Sequence, residues 1–186
     1  MITIKPFQKK PKLFKQRPKT NRRWVIDTLP PVFDTNCKIL IIGTIPGPES
    51  RKNGFYYCNQ GNRFWKAIEA TTGNRVPWCI CLRKNYLLKH NIALWDICSR
   101  CTMIGSKDKT IRNVRPNSIW RLLNNSNIQK VFCNGKKAKE LYDDLYNNQK
   151  VRIPADPLSS SSVANRIKCP DKTLVSEWKM KIKPYI

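Results

Sequence analysis

Ile39–Trp65 reads ILIIGTIPGPESRKNGFYYCNQGNRFW. Its first four side chains, Ile39–Ile42, are all apolar, so the segment has no polar face and fits a strand covered on both sides. Gly43 ends the run, and GTIPG over Gly43–Gly47 makes a turn in which glycine and proline fix the backbone path. A loop dense in aromatics follows, with Phe55, Tyr56 and Tyr57. Asn62 then stands where a helix N-cap belongs, ahead of the helical run from Arg63 to about Thr72. A strand entering a tight glycine turn sets backbone N–H groups at its carboxyl end, where open α/β sheets take ligands. Aromatic faces beside such a crevice suit a flat ring better than a phosphate. The same pattern also fits a plain first βα unit whose aromatics only fill the core.

Outward from this stretch, strand and helix signals alternate. Gly73 breaks the first helix, Val76–Arg83 reads as irregular, and Tyr86–His90 closes a second helix that stops at Asn91. Ile92–Trp95 is the second strand, with Asp96 at its carboxyl end. A polar loop is expected over Ser99–Arg115. Pro116-Asn117 opens a helix carrying Ile119, Leu122 and Leu123. Ile128–Cys133 is a third strand ended by Asn134-Gly135, and a helix runs from Lys136 to Tyr146 with Ala138, Leu141 and Leu145 at helical spacing. Val151–Ile153 reads as a short last strand, Leu158–Asn165 as a serine-rich turn, and Thr173–Ile182 as a final helix with Leu174 and Trp178 on its inner side. The expected fold is α/β: a three-layer sandwich with a short, mainly parallel four-stranded sheet between helices.

Charge narrows the partners. The 186 residues hold 36 Lys and Arg against 12 Asp and Glu, a formal net charge of +24. Such a surface favours a polyanion, because binding phosphates releases their counterions. Residues 1–23 carry nine of the 36 basic residues, no acid, and three prolines. That composition predicts a basic disordered tail ahead of one α/β domain over residues 24–186. Without the tail the remainder still carries +15. No apolar run approaches the roughly 20 residues that span a bilayer, so no membrane association is expected. The N-terminus lacks a signal-peptide core; a mitochondrial presequence would need serines and an uninterrupted amphipathic helix. An intracellular monomer with nucleic acid as its partner is the expectation, with nucleus, cytoplasm or nucleoid all open.

Eight cysteines, including a CxC at Cys79–Cys81 and a CxxC at Cys98–Cys101, raise the question of an iron–sulfur or zinc site. Against it, His90 is the one histidine, and Cys37, Cys98 and Cys133 lie in or beside apolar strands, where cysteine behaves as a small hydrophobe. Neither a metal nor a disulfide framework is expected.

GTIPG, FYY and NQGNRFW together resemble the first motif of the uracil-DNA glycosylase superfamily. The likeness is strongest to its DNA-deoxyinosine (hypoxanthine) glycosylase branch and more distant to the mismatch-specific uracil-DNA glycosylases. It continues through LLKHNIALWDIC, GSKDKTIRNVRPNSI, VFCNGKKA and LSSSSVAN, so it covers the chain from Leu29 to Trp178. The resemblance implies a cofactor-free hydrolase that flips a deaminated base, hypoxanthine or uracil, from double-stranded DNA and breaks its N-glycosidic bond. It places Gly43, Thr44 and Ile45 in the pocket wall, Tyr57 as the aromatic on which the base stacks, and Asp96 and Asn134 as polar pocket residues. Asn62 becomes the catalytic residue that orients the water; its competing role is the helix cap. Ser160, Ser161, Ser162 and Asn165 belong to the motif whose loop meets DNA, and Lys136 is a phosphate contact or a solvated residue.

Several positions depart from the family pattern. Histidine, proline and arginine of the first motif are here Asn59, Gln60 and Gly61, its usual aromatic is Ile45, and both prolines of the second are Ser159 and Val163. Loss of the prolines is expected to loosen the serine loop. The alternative to an active glycosylase is therefore a weakened or inactive DNA-binding protein on the same fold, or, further off, a basic component of a nucleoprotein particle.

Overall fold

The structure is a computed structural model that describes residues 21–26 and 29–186. The tail reading falls mostly on residues outside these. Its last two residues, Arg22 and Arg23, begin strand β1 (Arg22–Ile26).

Four parallel strands form the central sheet. β2 (Ile39–Gly43) lies between β3 (Ile92–Asp96) and β6 (Lys130–Asn134), and β7 (Ala155–Leu158) closes the far edge. Every residue of β2 is buried, as its all-apolar composition requires. Alternation then divides its side chains. Ile39 and Ile41 pack with Phe64, Ala67 and Ile68 of α2 (Phe64–Thr72), Leu87 of α3 (Ile80–Lys89), and Leu174, Trp178 and Ile182 of α6 (Asp171–Ile182). Leu40 and Ile42 face the opposite layer, formed by Ile119 and Leu122 of α4 (Ile119–Asn124) and Ala138, Tyr142 and Leu145 of α5 (Lys136–Asn147). The sandwich is thus three layers, as the sequence predicts. Burying aliphatic side chains on both faces contributes about 1.5–3 kcal/mol each.

From β2 the chain moves first to β3 on one side and later to β6 on the other. Such a reversal opens a crevice at the carboxyl ends of the strands. Register sharpens the point: Gly43 is paired with Asp96, and Asn134 with Leu158, so the three strand-terminal residues Gly43, Asp96 and Asn134 come out at one end of the sheet.

Several expectations need correction. The polar loop expected over Ser99–Arg115 is mostly strand: β4 (Cys98–Ile104) and β5 (Arg112–Pro116) form a bulged hairpin, and β1 joins its other side to make an antiparallel sheet in the order β1-β4-β5. The inner face of this sheet covers a small core of Ile45, Cys98, Cys101, Met103 and Ile111. β5, with sequence RNVRP, is a polar edge strand ending in proline, and nothing in its pattern alternates apolar with polar. The last parallel strand is Ala155–Leu158 rather than Val151–Ile153; Pro157 is tolerated there because β7 is an edge. A short helix α1 (Pro48–Asn53) also fills part of the aromatic loop, and α3 begins at Ile80, inside the segment expected to be irregular.

Cys79 and Cys81 are joined by a disulfide, where the sequence reading expected none. Cys98 and Cys101 are buried in the small core. Among the described residues, no three His, Cys, Asp or Glu side chains gather as a metal-ligand set, and no helix is long and apolar enough to cross a membrane.

Candidate active site

A cavity of about 480 Å³ opens at the carboxyl end of β2. The turn after β2 supplies Gly43, Thr44 and Ile45, the strand ends supply Asp96 and Asn134, the aromatic loop supplies Tyr57, and Asn62 comes from just before α2. The serine loop closes one wall with Ser160, Ser161 and Ser162. Every pocket residue predicted from sequence therefore lines one space.

Gly43 is required by what crowds it. A methyl group placed on its Cα would sit 2.3 Å from Asp96 Oδ1 and 2.9 Å from Tyr57 Oη. Only glycine lets the carboxylate and the phenol approach the strand end together. Beyond it, the carbonyls of Gly43 and Thr44 accept hydrogen bonds from Ile97 and Cys98, which extends the hold on the turn past the last paired residues.

Tyr57 is held on three counts. Its ring lies over Phe64 of α2 at 3.9 Å between centroids and 11° between planes. Its hydroxyl accepts a hydrogen bond from Asn134 Nδ2 at 3.0 Å. Its backbone has φ +53, a left-handed conformation that costs a non-glycine residue on the order of 1 kcal/mol and persists where the surroundings enforce it. Loss of solvent around the phenol, and then the nearby Asp96 carboxylate, raise its pKa above the ordinary value, so it stays protonated at neutral pH.

Asn62 sits at the cavity and at the approach to α2, whose cap residue is Arg63 rather than Asn62. Its Oδ1 accepts the N–H of Phe64 at 3.0 Å, a cap-like turn bond made from the residue just before the helix cap. The same side chain lines the cavity, and its Nδ2 donates to no group among the described residues. That bond fixes the amide's position, and a fixed amide at a pocket wall is what orientation of a small reactant requires.

Asn134 reaches the cavity with its amide already engaged. Nδ2 donates to Tyr57 Oη and to Ser161 Oγ at 2.9 Å, and Oδ1 accepts Ser161 N–H at 2.9 Å. Ser161, expected to face DNA, is fully buried and its carbonyl accepts Arg63 N–H, so its place is in the loop's support. Ser160 and Ser162 stay half-exposed on the loop. Asn165 donates to the Ser160 carbonyl at 3.0 Å, and Lys136 is exposed at the start of α5 and does not line the cavity.

Sequence reading missed Arg63. Although almost wholly buried, it donates through Nη2 to the carbonyls of Ser160 and Ser162 at 3.1 and 3.3 Å and through Nη1 to the carbonyl of Cys169, with Asp171 at 3.4 Å. A planar fork with several fixed donors suits this cluster of carbonyls. The serine loop that lacks its two prolines is thereby tied to α2 by hydrogen bonds. Glu177 and Trp178 of α6 hold its base, accepting from Ser159 N–H and donating to the Ser159 carbonyl.

Ser106 and Asp108 escape sequence reading too, because the hairpin that carries them to the cavity has the composition of a loop. Asp108 keeps contact with solvent, yet crowding by protein raises its carboxyl pKa, a rise opposed by Thr44 and by Lys137.

A polar-rimmed cavity with an aromatic wall lies at the switch point of a parallel sheet in a strongly basic chain, a place and a lining that suit a flat ring. Comparison with known proteins identifies the family. The family model of the uracil DNA glycosylase superfamily matches residues 30–179, and the chain belongs to that superfamily. It is 35% identical over 151 residues to a hypoxanthine DNA glycosylase of Methanosarcina acetivorans, covering 80% of this chain and 92% of the relative. Against a hypoxanthine DNA glycosylase of Methanosarcina barkeri it is 33% identical over 139 residues, covering 74% and 86%. The solution NMR structure of a Methanosarcina acetivorans protein named after uracil DNA glycosylase superposes with a TM-score of 0.72 at 30% identity, covering 84% of this chain and 96% of that one.

Proposed function

We propose that the cavity receives a deaminated base flipped from double-stranded DNA, hypoxanthine before uracil, and that water then cleaves its N-glycosidic bond. The observation that carries this is the convergence of Gly43, Asp96, Asn134, Tyr57 and Asn62 on one cavity at the sheet's carboxyl end. The two similar proteins named hypoxanthine DNA glycosylase support placing hypoxanthine first.

The chemistry follows from what deamination changes. Adenine and cytosine present a ring nitrogen that accepts a hydrogen bond; hypoxanthine and uracil present a ring N–H beside a carbonyl. The Asp96 carboxylate accepts from such an N–H and repels the lone pair of the undamaged base. The N–H groups of Thr44 and Ile45, which donate to no other group among the described residues, suit the neighbouring carbonyl. Tyr57 gives the base a flat surface, a stack worth roughly 1–3 kcal/mol.

Cleavage breaks the bond between the sugar carbon and the base nitrogen. The bonding electron pair leaves with the base, the water oxygen bonds to the cation-like sugar carbon, and the water's proton ends on the base or in solvent. Asn62 holds that water: one lone pair of Oδ1 takes Phe64 N–H, and the other is left for the water. Charge building on the departing base is stabilised by the same donors that recognised it. Ser160 and Ser162, with the basic surface around them, grip the strand.

The test is release of base from duplexes carrying one deoxyinosine, one deoxyuridine, or no lesion, followed by alkaline cleavage at the abasic site. Deoxyinosine is expected to be cleaved fastest and the undamaged duplex not at all. Absence of any abasic product at enzyme excess would overturn the reading.

A further inference from the structure

We propose that the outward face of the β1-β4-β5 sheet is a second nucleic-acid site, which binds single-stranded DNA by stacking an unpaired base on Trp24. The register defines this face. Trp24, Thr102 and Arg112 form one cross-strand row; Ile26, Arg100 and Arg115 form the next. The residues between them, Val25 and Cys101, turn inward to the small core. Side chains of adjacent rows stand roughly 7 Å apart along a strand.

Trp24 is 51% exposed and Ile26 54% exposed, on a strand whose other side is packed. The guanidinium of Arg100 lies 4.1 Å from the Trp24 ring centroid, which orients the indole and adds cation–π attraction. Arg112 and Arg115 are exposed on the same face. The three strands together hold five arginines and no acidic residue. An apolar protein partner has no use for that charge, whereas a flat aromatic among arginines offers a base its ring and the backbone its counter-charge. Duplex DNA hides its bases' faces, so the stack selects unpaired nucleotides. The hairpin that builds the face also sends Ser106 and Asp108 to the cavity, so a strand held here lies beside the pocket's own wall. This inference does not depend on which base the pocket excises, nor on whether it excises one.

Fluorescence anisotropy of the full chain tests it, with a labelled, lesion-free single strand of deoxythymidines and a lesion-free duplex of equal length. Trp24→Ala is expected to weaken single-strand binding by ~tenfold or more, the loss of one base stack, and to change duplex binding by less than about twofold. Trp24→Phe, which restores a flat ring, is expected to recover most of the affinity. Arg115→Glu, an exposed position whose side chain bonds to nothing among the described residues, lowers single-strand affinity and its salt dependence with Trp24 in place. That variant keeps the test open should Trp24→Ala unfold. Unchanged single-strand affinity in Trp24→Ala and Arg115→Glu overturns the proposal. Equal loss on single strand and duplex overturns it too, since that reports phosphate attraction alone. So does a concentration-dependent dimer that Trp24→Ala abolishes while oligonucleotide affinity stays, because the face then pairs two copies of the chain.

Discussion

Substituting Asn62 by serine and by alanine separates the cap-like bond from the chemistry, because the two roles rest on different parts of one side chain. The cap-like bond runs from Phe64 N–H to Oδ1 at 3.0 Å. Alanine removes it, which should cost about 1 kcal/mol and lower the melting temperature by roughly 2–4 °C in a chain of this size. Serine caps helices nearly as well as asparagine, so its melting temperature should stay within about 1 °C of wild type. On the proposed mechanism its short hydroxyl, once turned to the helix N–H, does not reach the water assigned to the amide oxygen. Both variants should therefore lose two orders of magnitude or more in the single-turnover excision rate, on the order of 3 kcal/mol of barrier. Affinity for lesion DNA should change little, since Tyr57 and Asp96 are intact. The assay is quenched single-turnover cleavage of a deoxyinosine duplex at saturating enzyme, beside a thermal melt of each protein. A serine variant that melts like wild type and also cleaves like wild type would refute the catalytic assignment and leave Asn62 with its cap-like bond alone.

Gly43→Ala should place its methyl against Asp96 and Tyr57, and the forced shift is expected to lower the excision rate at least tenfold for a stability loss of about 1–3 kcal/mol; wild-type kinetics would show that the strand end does not border the base. Arg63→Lys loses the fork that spans the Ser160 and Ser162 carbonyls, so faster proteolysis of the serine loop and a lower melting temperature are expected; unchanged cleavage by protease would show that the loop holds itself. Burial alone would raise the pKa of Glu177, but bonds from Ser159 and the Lys181 ammonium outweigh it and bring the group below its ordinary 4.5. Its contribution is therefore complete above the unfolded-chain value and lost as pH falls through the folded one; the drop in melting temperature below about pH 4.5 should shrink in Glu177→Gln, and an identical acid profile would exclude Glu177 as the cause. Deleting residues 1–20 removes seven basic residues and should flatten the salt dependence of DNA binding, by roughly 0.9 in log–log slope for each phosphate they neutralise; an equal slope would show that those residues do not touch DNA.

What could be read in advance depended on how local the signal was. Ile39–Ile42 announces a doubly covered strand by composition alone, and the alternation of strand and helix that follows leaves few arrangements but a parallel sandwich. That Gly43, Asp96 and Asn134 end strands was legible for the same reason, while their place in a pocket was implied only by the family resemblance. Arg63 was not. Inside NRFW it looks like one more surface charge, and only the fold brings three loop carbonyls to it from about a hundred residues away. β4 and β5 were hidden because bulges break the two-residue period and an edge strand of arginines has no buried face to show. Ser161 points the other way: the pattern put it with its neighbours in a DNA-facing loop, and hydrogen bonds to Asn134 turned it inward.

The tie between Arg63 and the serine loop also couples two events that are usually considered apart. Arg63 is the residue next to Asn62, and its side chain and backbone N–H together hold Ser160, Ser161 and Ser162. On the proposed function, a tug on the loop by bound DNA would be delivered one peptide unit from the Asn62 amide, with no intervening residue to absorb it. A duplex that seated the loop correctly would then also set the amide, and one that seated it askew would carry the amide off line. On that reading, fidelity would draw on tension along this short linkage as well as on what the pocket itself distinguishes.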